Sequence, residues 1–155
     1  LLVLDRPSDV AADPHVRRAR FAELDRYLPA AIAMLSEELE LPPFAGAVRA
    51  TYRARLAELI AAGRAFVRLD SNGEIAFKAE LGAVSRRTCQ IQGVWVRPDL
   101  RGRGIATAAM SSVVRHALML APSVSLYVND FNLAARTVYD RLGMRQVATL
   151  ATVMF

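Results

Sequence analysis

The most restrictive feature of this sequence is a strand-like segment that runs through an Arg- and Gly-rich turn directly into a helix. The segment spans residues 94–106 and reads VWVRPDLRGRGIA. Backbone N–H groups at a helix start have no intrahelical partner, and the helix dipole adds partial positive charge there. Gly102 and Gly104 lack a Cβ, so a bulky anion can approach the main chain. The pattern is neither a Walker loop nor G-x-G-x-x-G, and it predicts an anion-binding turn suited to a diphosphate.

The hydrophobic periodicity of the remaining chain predicts alternating helices and strands. We expect Pro29 to kink the first helix or to mark its start. The Asn72-Gly73 pair predicts a hairpin in which both central turn residues have positive φ. The helical ranges are 22–40, 45–62, 105–120 and 133–142, and the strand ranges are 16–20, 65–69, 75–81, 88–96, 124–128 and 147–155. The order is therefore β-α-α-β-β-β-α-β-α-β.

Two motifs resemble signatures of the GCN5-related N-acetyltransferase (GNAT) superfamily. Arg101-Gly102-Arg103-Gly104-Ile105-Ala106 resembles the pyrophosphate signature Gln/Arg-x-x-Gly-x-Gly/Ala, and it lies between the fourth predicted strand and the third helix. Residues 132–144, NLAARTVYDRLGM, resemble Asn-x-x-Ala-x-x-x-Tyr-x-x-x-Gly-Phe with Met144 in place of Phe. The resemblance covers residues 16–155. It implies an α/β (α+β) GNAT fold, with a mixed, mostly antiparallel central sheet that is splayed between the fourth and fifth strands and flanked by about four helices.

The resemblance also implies which residues bind acetyl-CoA as a co-substrate. Main-chain groups of Val94, Trp95 and Val96 would pair with the pantetheine arm. Asn132 and Ala135 would contact the cofactor from the last helix. The residues implied to hold the pyrophosphate are Arg101, Gly102, Arg103, Gly104, Ile105, Ala106 and Thr107. No metal is expected, because the sequence has no metal-ligand spacing.

Acetyl transfer requires a proton donor, an oxyanion donor and a proton acceptor. Attack of an amine on the thioester expels a thiolate whose conjugate acid has a pKa of about 8.5. Tyr139, implied to lie near the sulfur, can donate a hydrogen bond or a proton to it, and a free N–H within residues 94–96 can hold the oxyanion. Some GNAT enzymes place a glutamate as base on the fourth strand, but that position here is Gln90. Glu80 on the neighbouring strand is therefore the candidate base, acting directly or through water.

Composition excludes several other classes of protein. The single cysteine rules out an internal disulfide and fits a cytoplasmic protein, and no apolar run approaches the roughly 18 residues that a membrane span needs. The net charge of +5 attracts anions, but scattered arginines do not favour nucleic acid. The Arg-rich, Lys-poor usage indicates a bacterial origin. Residues 1–14 read as a strand remnant or linker, which leaves open a preceding domain or a homodimer, and residues 15–155 as the acetyltransferase domain.

Three functions are consistent with these features. The first is an N-acetyltransferase that moves an acetyl group to a primary amine of a small molecule or protein through a tetrahedral intermediate. The second is a catalytically silent acyl-CoA-binding regulatory module, suggested by the missing fourth-strand glutamate. The third, suggested only by the charge, is a nucleic-acid binder. Glu37, Glu38 and Glu40 either line a site for a cationic acceptor or form a solvated helix face.

Overall fold

A computed structural model describes all 155 residues of the chain. The strands are β1 (Leu2–Leu4), β2 (Arg17–Arg18), β3 (Ala65–Leu69), β4 (Ile75–Val84), β5 (Cys89–Val96), β6 (Val124–Leu126) and β7 (Arg145–Gln146). The helices are α1 (Leu24–Leu39), α2 (Gly46–Ala61), α3 (Ile105–Leu118) and α4 (Leu133–Arg141). The predicted order is confirmed from β2 to α4, whereas β1 lies in the segment interpreted as a strand remnant or linker and β7 lies before the last predicted strand. None of the helices combines the length and the apolar character that crossing a membrane requires.

The strands form one mixed sheet in the order β2-β3-β4-β5-β6-β1-β7. The β5–β6 pair is parallel and every other neighbouring pair is antiparallel. The parallel pair is joined through α3, as a crossover between parallel strands requires. This arrangement confirms the expected α/β class and the mostly antiparallel sheet.

The sheet separates between β5 and β6. The two strands pair only at Cys89↔Val124, Gln90↔Ser125 and Ile91↔Leu126, after which β6 ends. The rest of β5, residues 92–96, has no neighbour on this side. The predicted splay is therefore present, and it leaves a cleft at the carboxyl end of β5.

Two apolar layers pack on the two faces of the sheet. Phe66 and Phe77 point into the core formed with α3 and α4, whereas Val67 and Ile75 point into the core formed with α1 and α2. For Phe66 and Val67 this division follows from the alternation of side chains along a strand. Ile75 and Phe77 are two residues apart yet belong to different cores, because the pairing of β4 with β3 is irregular between them. Because both faces are covered, the open cleft between β5 and β6 is the route to the interior.

Two local predictions differ from the structure. The hairpin at Asn72-Gly73 is present, but only Gly73 has positive φ, at 77°. The Gly73 amide donates to the Asp70 carbonyl and the Asp70 amide donates to the Glu74 carbonyl, so the loop is a turn followed by a glycine bulge. Helix α1 starts at Leu24 and runs through Pro29 rather than beginning at it.

The two ends of the chain lie at the same edge of the sheet. β1 lies between β6 and β7 in the sheet, and the segment expected to be a linker packs on α3, where Ser111 and Ser112 donate to the carbonyls of Val10 and Asp13. The predicted strand over residues 147–155 is wrong. At this edge the Val147 amide donates to the Leu1 carbonyl oxygen, and the Leu1 amino group donates to the Ala148 carbonyl oxygen. The residues beyond are not in a strand.

Candidate active site

The cleft between β5 and β6 opens into a cavity of about 700 Å³. Its walls come from the end of α1, the free part of β5, the turn before α3, the segment after β6 and one face of α4. Every residue predicted from the sequence to bind the cofactor lines this cavity, with the exception of Arg103, whose side chain is exposed. Tyr139 lines it as well, whereas Glu80 does not.

The turn before α3 presents a row of unpaired amides to the cavity. Gly102 and Gly104 have φ of 76° and 77°, a region that L side chains rarely adopt, and a Cβ at either position would meet no atom within 4 Å. Gly104 is the N-cap and provides no side-chain cap, and the first amide that bonds back to it is that of Ala108. The amides of residues 102–107 therefore have no acceptor in the protein. This geometry and the α3 dipole fit an anionic diphosphate.

Arg101 joins the turn to two other walls of the cavity. Its Nε donates to the Val96 carbonyl oxygen at 2.9 Å, and its Nη2 pairs with Glu37 at 2.8 Å. The Trp95 indole donates to the other oxygen of Glu37 at 3.3 Å. Glu37 is therefore held at the mouth of the cavity by two donors. The bond to Val96 also shows that this carbonyl faces the cleft rather than β4.

A bulge in β5 shapes the floor of the cavity. The register moves from Lys78↔Trp95 to Glu80↔Gln92, so Gly93 and Val94 together oppose one residue of β4. Gly93 has φ of 61°, and a Cβ there would lie 2.8 Å from Glu80 Oε2, so only glycine fits. Val94 has no register partner on β4 or on β6. Its amide is therefore the candidate, within residues 94–96, for the strand donor to the oxyanion.

A buried polar cluster lies beneath the bulge. Glu80, which is 3% exposed, accepts from Tyr27 Oη at 2.8 Å, from Lys78 Nζ at 3.0 Å and from Gln92 Nε2 at 3.4 Å. Lys78 is 0% exposed and also donates to the Gly93 carbonyl oxygen at 2.7 Å. Burial lowers the pKa of Lys78, although Glu80 opposes this, and burial together with Glu80 raises the pKa of Tyr27 well above its ordinary value. The oxygens of Glu80 are thus committed to neighbouring donors, and Glu80 itself does not line the cavity.

Tyr139 reaches the cavity from α4. Its side chain is 6% exposed, and its hydroxyl has no hydrogen-bond partner in the protein. Burial, and secondarily the charge of Glu38, raise the pKa of Tyr139 to about 12. The phenol therefore keeps its proton at neutral pH and is free to donate a hydrogen bond into the cavity. Asn132 lines the same wall, where its side-chain oxygen caps α4 by accepting from the Ala135 amide at 3.2 Å.

Glu38 is a carboxylate that faces the cavity without a partner. It lies at the end of α1 and makes no hydrogen bond or ion pair with the protein. Burial raises the pKa of Glu38, and the charges of Glu37 and Glu80 add to this, whereas Lys78 opposes it. Of the three glutamates predicted at the end of this helix, Glu37 and Glu38 line the cavity and Glu40 does not.

Sequence reasoning missed several residues of the cavity wall, among them Met34 and Gln92. Met34 lies one turn before Glu38 and shares its face, so the helical spacing could have identified it. Gln92 lines the floor, whereas Gln90, expected at the position of the family's strand glutamate, pairs with Ser125 and does not line the cavity. No local signal distinguishes these two glutamines. Which of them faces the cleft depends on the bulge at Gly93 and Val94, which follows both of them in β5.

The chain matches one sequence family. The sequence model of the acetyltransferase (GNAT) family matches residues 30–144. A search of curated proteins finds no match.

Solved structures share the fold of this chain. An acetyltransferase from the GNAT family of Colwellia psychrerythraea has a TM-score of 0.73 at 15% identity, and the match covers 93% of this chain and 50% of that one. A predicted acetyltransferase from Clostridium acetobutylicum, solved with acetyl-CoA, has a TM-score of 0.71 at 16% identity over 90% of this chain and 94% of that one. A GNAT-family acetyltransferase from Staphylococcus aureus Mu50 has a TM-score of 0.66 at 10% identity over 86% and 85%. The chain thus spans about half the length of the first of these proteins.

Proposed function

The chain belongs to the GNAT family of acetyltransferases, and from that premise we propose that it transfers an acetyl group from acetyl-CoA to a primary amine. The observation that carries the proposal is the row of unpaired amides at residues 102–107, which opens α3 beside a splayed sheet. A helix start with free amides binds an anion. The free edge of β5 offers backbone hydrogen-bonding groups to the extended arm of a ligand whose diphosphate is bound at this helix start.

Donor binding would use both of these surfaces. The amides of residues 102–107 would hold the diphosphate, and Arg101 would keep the turn fixed to β5 through its bond to Val96. The pantetheine arm would run along residues 94–96 as an additional strand, because this edge has no partner from β6. Asn132 and Ala135 would contact the arm from α4, since both line the opposite wall. The thioester would then lie near the Gly93–Val94 bulge and Tyr139.

The Val94 amide would stabilise the tetrahedral intermediate. Attack of the amine nitrogen on the thioester carbon places negative charge on the carbonyl oxygen. A fixed N–H donor aimed at that oxygen lowers the barrier, and loss of one such donor typically costs about 10²–10³ in kcat. The bulge supports this role for Val94, because it takes this residue out of register with β4.

Tyr139 would assist departure of the thiolate. The intermediate collapses by breaking the carbon–sulfur bond, which leaves a thiolate whose conjugate acid has a pKa of about 8.5. The phenol has a pKa of about 12, so complete transfer of its proton to the thiolate would be uphill by about 5 kcal/mol. Because the pKa of the phenol exceeds that of the thiol, we expect Tyr139 to donate a strong hydrogen bond to the sulfur rather than to transfer its proton. The thiolate would then take its proton from solvent.

Glu38 would accept the proton that the attacking amine loses. It is the one carboxylate of the cavity wall without a partner, and its raised pKa brings its basicity closer to that of an ideal general base near neutral pH. The base role of Glu80 stays a prediction, and the three donors on its carboxylate favour a structural role instead. Glu37 and Glu38 together make the acceptor side of the cavity negative, which favours a cationic amine.

A screen for thiol release tests this function. Purified protein is mixed with acetyl-CoA and a panel of polyamines, amino acids, aminoglycosides and peptides, and free thiol is followed with a chromogenic reagent. We expect release that saturates with one class of amine and that falls by roughly 10² in the Glu38→Gln variant. Tight binding of acetyl-CoA with no release on any amine would contradict the enzyme and support the silent acyl-CoA-binding module.

A further inference from the structure

The only lysine of the chain is completely buried beneath the cavity. Lys78 is 0% exposed and lies in the middle of β4. Burying an ammonium group costs several kcal/mol unless it is paired, and replacing a buried ion pair by apolar residues is often neutral or stabilising. The Lys78–Glu80 pair is therefore not explained by stability alone. Its contact with the bulge suggests what it does.

The bond from Lys78 to Gly93 acts on the same peptide group that carries the candidate oxyanion donor. The Gly93 carbonyl and the Val94 N–H belong to one peptide unit, and the chain contains no cis peptide bond. In a trans peptide the C=O and the N–H point in opposite directions. The Gly93 carbonyl oxygen lies 2.7 Å from Lys78 Nζ, on the side of the sheet covered by α1, where Nζ also lies over the Tyr27 ring. The Val94 N–H is consequently directed away from Lys78.

A cation on a carbonyl oxygen draws electron density out of the peptide group. The partial positive charge on the amide hydrogen of that group increases, because hydrogen bonds in a chain polarise one another. The effect is larger in a buried site, where the effective dielectric constant is low. A donor strengthened in this way binds developing negative charge more tightly than an ordinary backbone amide does.

We propose that Lys78 is a positioning residue for acetyl transfer, which fixes the β5 bulge through the Gly93 carbonyl and strengthens the Val94 N–H as the donor to the thioester oxygen. This inference rests on the proposed function, because it requires the thioester to lie at the bulge. Lys78 itself does not contact the substrate. It acts only through the Gly93–Val94 peptide group.

The surrounding residues hold Lys78 in this position. Glu80 fixes Nζ at 3.0 Å, and Tyr27 and Gln92 fix Glu80 from α1 and β5. Gly93 completes the arrangement, because a Cβ there would lie 2.8 Å from Glu80 Oε2 and 3.0 Å from Lys78 Nζ. The cluster thus accounts for a buried carboxylate that does not reach the cavity.

The test measures the thioester carbonyl directly. Acetyl-CoA labelled with ¹³C at the thioester carbonyl is bound to the full chain, and its stretching band is recorded by infrared difference spectroscopy. Hydrogen-bond donation to a carbonyl lowers its stretching frequency, so the wild-type band is expected below that of free acetyl-CoA. A Lys78→Met/Glu80→Gln variant removes both charges together, so that neither is left buried alone.

The double variant is expected to move the band back toward the frequency of free acetyl-CoA. Its Kd for acetyl-CoA should stay within about threefold of the wild-type value, because the diphosphate site is untouched. The slow hydrolysis of acetyl-CoA to acetate and free thiol needs no amine, and its rate in this variant should fall roughly tenfold. The decrease is smaller than the one caused by removing an oxyanion donor completely, because the Val94 N–H is weakened but still present. Tyr27→Phe is the matched control and should keep most of the band shift, because it removes one donor of the cluster and leaves the Lys78–Glu80 pair and the bond to Gly93 in place.

A wild-type band frequency in the double variant would overturn the proposal. Should that variant fail to fold, the Lys78→Gln/Glu80→Gln variant carries the test, because it also removes both charges and its neutral amide is too weak a polarising group to reproduce the wild-type frequency. An unchanged band there would overturn the proposal equally. Absence of saturable acetyl-CoA binding by the wild-type protein is a different result, which contradicts the proposed function itself.

Discussion

Substitution of Gly104 by alanine separates ligand binding from backbone strain. Gly104 and Gly46 both have positive φ, at 77° and 63°, and a Cβ at either position would meet no atom within 4 Å. The only structural difference that matters is that Gly104 lines the cavity and Gly46 does not. Gly46→Ala is therefore a matched control for the cost of a left-handed conformation. That cost is about 1–2 kcal/mol of unfolding free energy in each variant.

The two variants should differ sharply in affinity for acetyl-CoA. A methyl group on Gly104 occupies space in front of the amides of residues 102–107, so the diphosphate cannot approach all of them. Hydrogen bonds to a charged group contribute about 1.5–3 kcal/mol each. Loss of two at the lower value is about 3 kcal/mol, which corresponds to a Kd about 10²-fold weaker. Gly46→Ala should bind as wild type does.

Calorimetric titration gives the two affinities, and thermal unfolding gives the two stabilities. The reasoning is refuted if Gly104→Ala binds acetyl-CoA within about threefold of the wild-type Kd while it unfolds at a temperature close to that of Gly46→Ala. Equal loss of affinity in both variants would also refute it, because strain alone would then explain the effect.

Three further substitutions test the remaining parts of the site. Tyr139→Phe should lower turnover by about 10² with little change in the Kd of acetyl-CoA, because the phenol acts on the leaving sulfur. Single-turnover kinetics measures the first quantity and calorimetry the second. Unchanged turnover would exclude this role for Tyr139. Glu38→Gln should lower kcat/KM by roughly 10² at neutral pH. The active base is the carboxylate, so wild-type activity should fall as pH drops through the raised pKa of Glu38. If the pH–rate profile of Glu38→Gln shows the same fall at acidic pH, Glu38 is not the group that causes it. Gly93→Ala should lower the unfolding free energy by about 3 kcal/mol, which is more than Gly46→Ala does. A Cβ on residue 93 would lie 2.8 Å from the Glu80 carboxylate, so steric overlap adds to the backbone strain. Equal melting temperatures of the two variants would contradict this steric overlap.

The parts of the site that local sequence determines could be predicted. Gly102 and Gly104 reveal the turn because few other residues adopt its backbone conformation, and the helix that follows is set by its own apolar stripe. Asn132 and Tyr139 lie seven residues apart on one helix, so their common face follows from helical geometry.

The parts that depend on strand pairing could not be predicted. Glu80 is an apparent base candidate in the sequence, but the bulge at Gly93 and the docking of Tyr27 bury its carboxylate under the sheet. Likewise, β1 is placed between β6 and β7 by partners more than a hundred residues away, and the alternating residues 147–155 find no strand to pair with. Register and long-range pairing leave no local signal of this kind.

The position of the hairpin turn could be predicted from the sequence, but its backbone conformation could not. The Asn72-Gly73 pair correctly marks the reversal between β3 and β4. The side chain of Asp70, however, accepts from the amides of Asn72 and Glu74, which favours a turn in which only the glycine needs positive φ. Two turn signals compete in the same stretch, and the sequence does not reveal which prevails.

The central claim is that the amides at the start of α3 bind the diphosphate of coenzyme A, and a competition titration tests it most directly. Acetyl-CoA is titrated into the protein by calorimetry, alone and in the presence of excess S-acetylpantetheine, which carries the same thioester and arm without the diphosphate. The account predicts saturable binding of acetyl-CoA with one site per chain, and no measurable displacement by S-acetylpantetheine. No saturable binding, or equal affinity for both compounds, would contradict it.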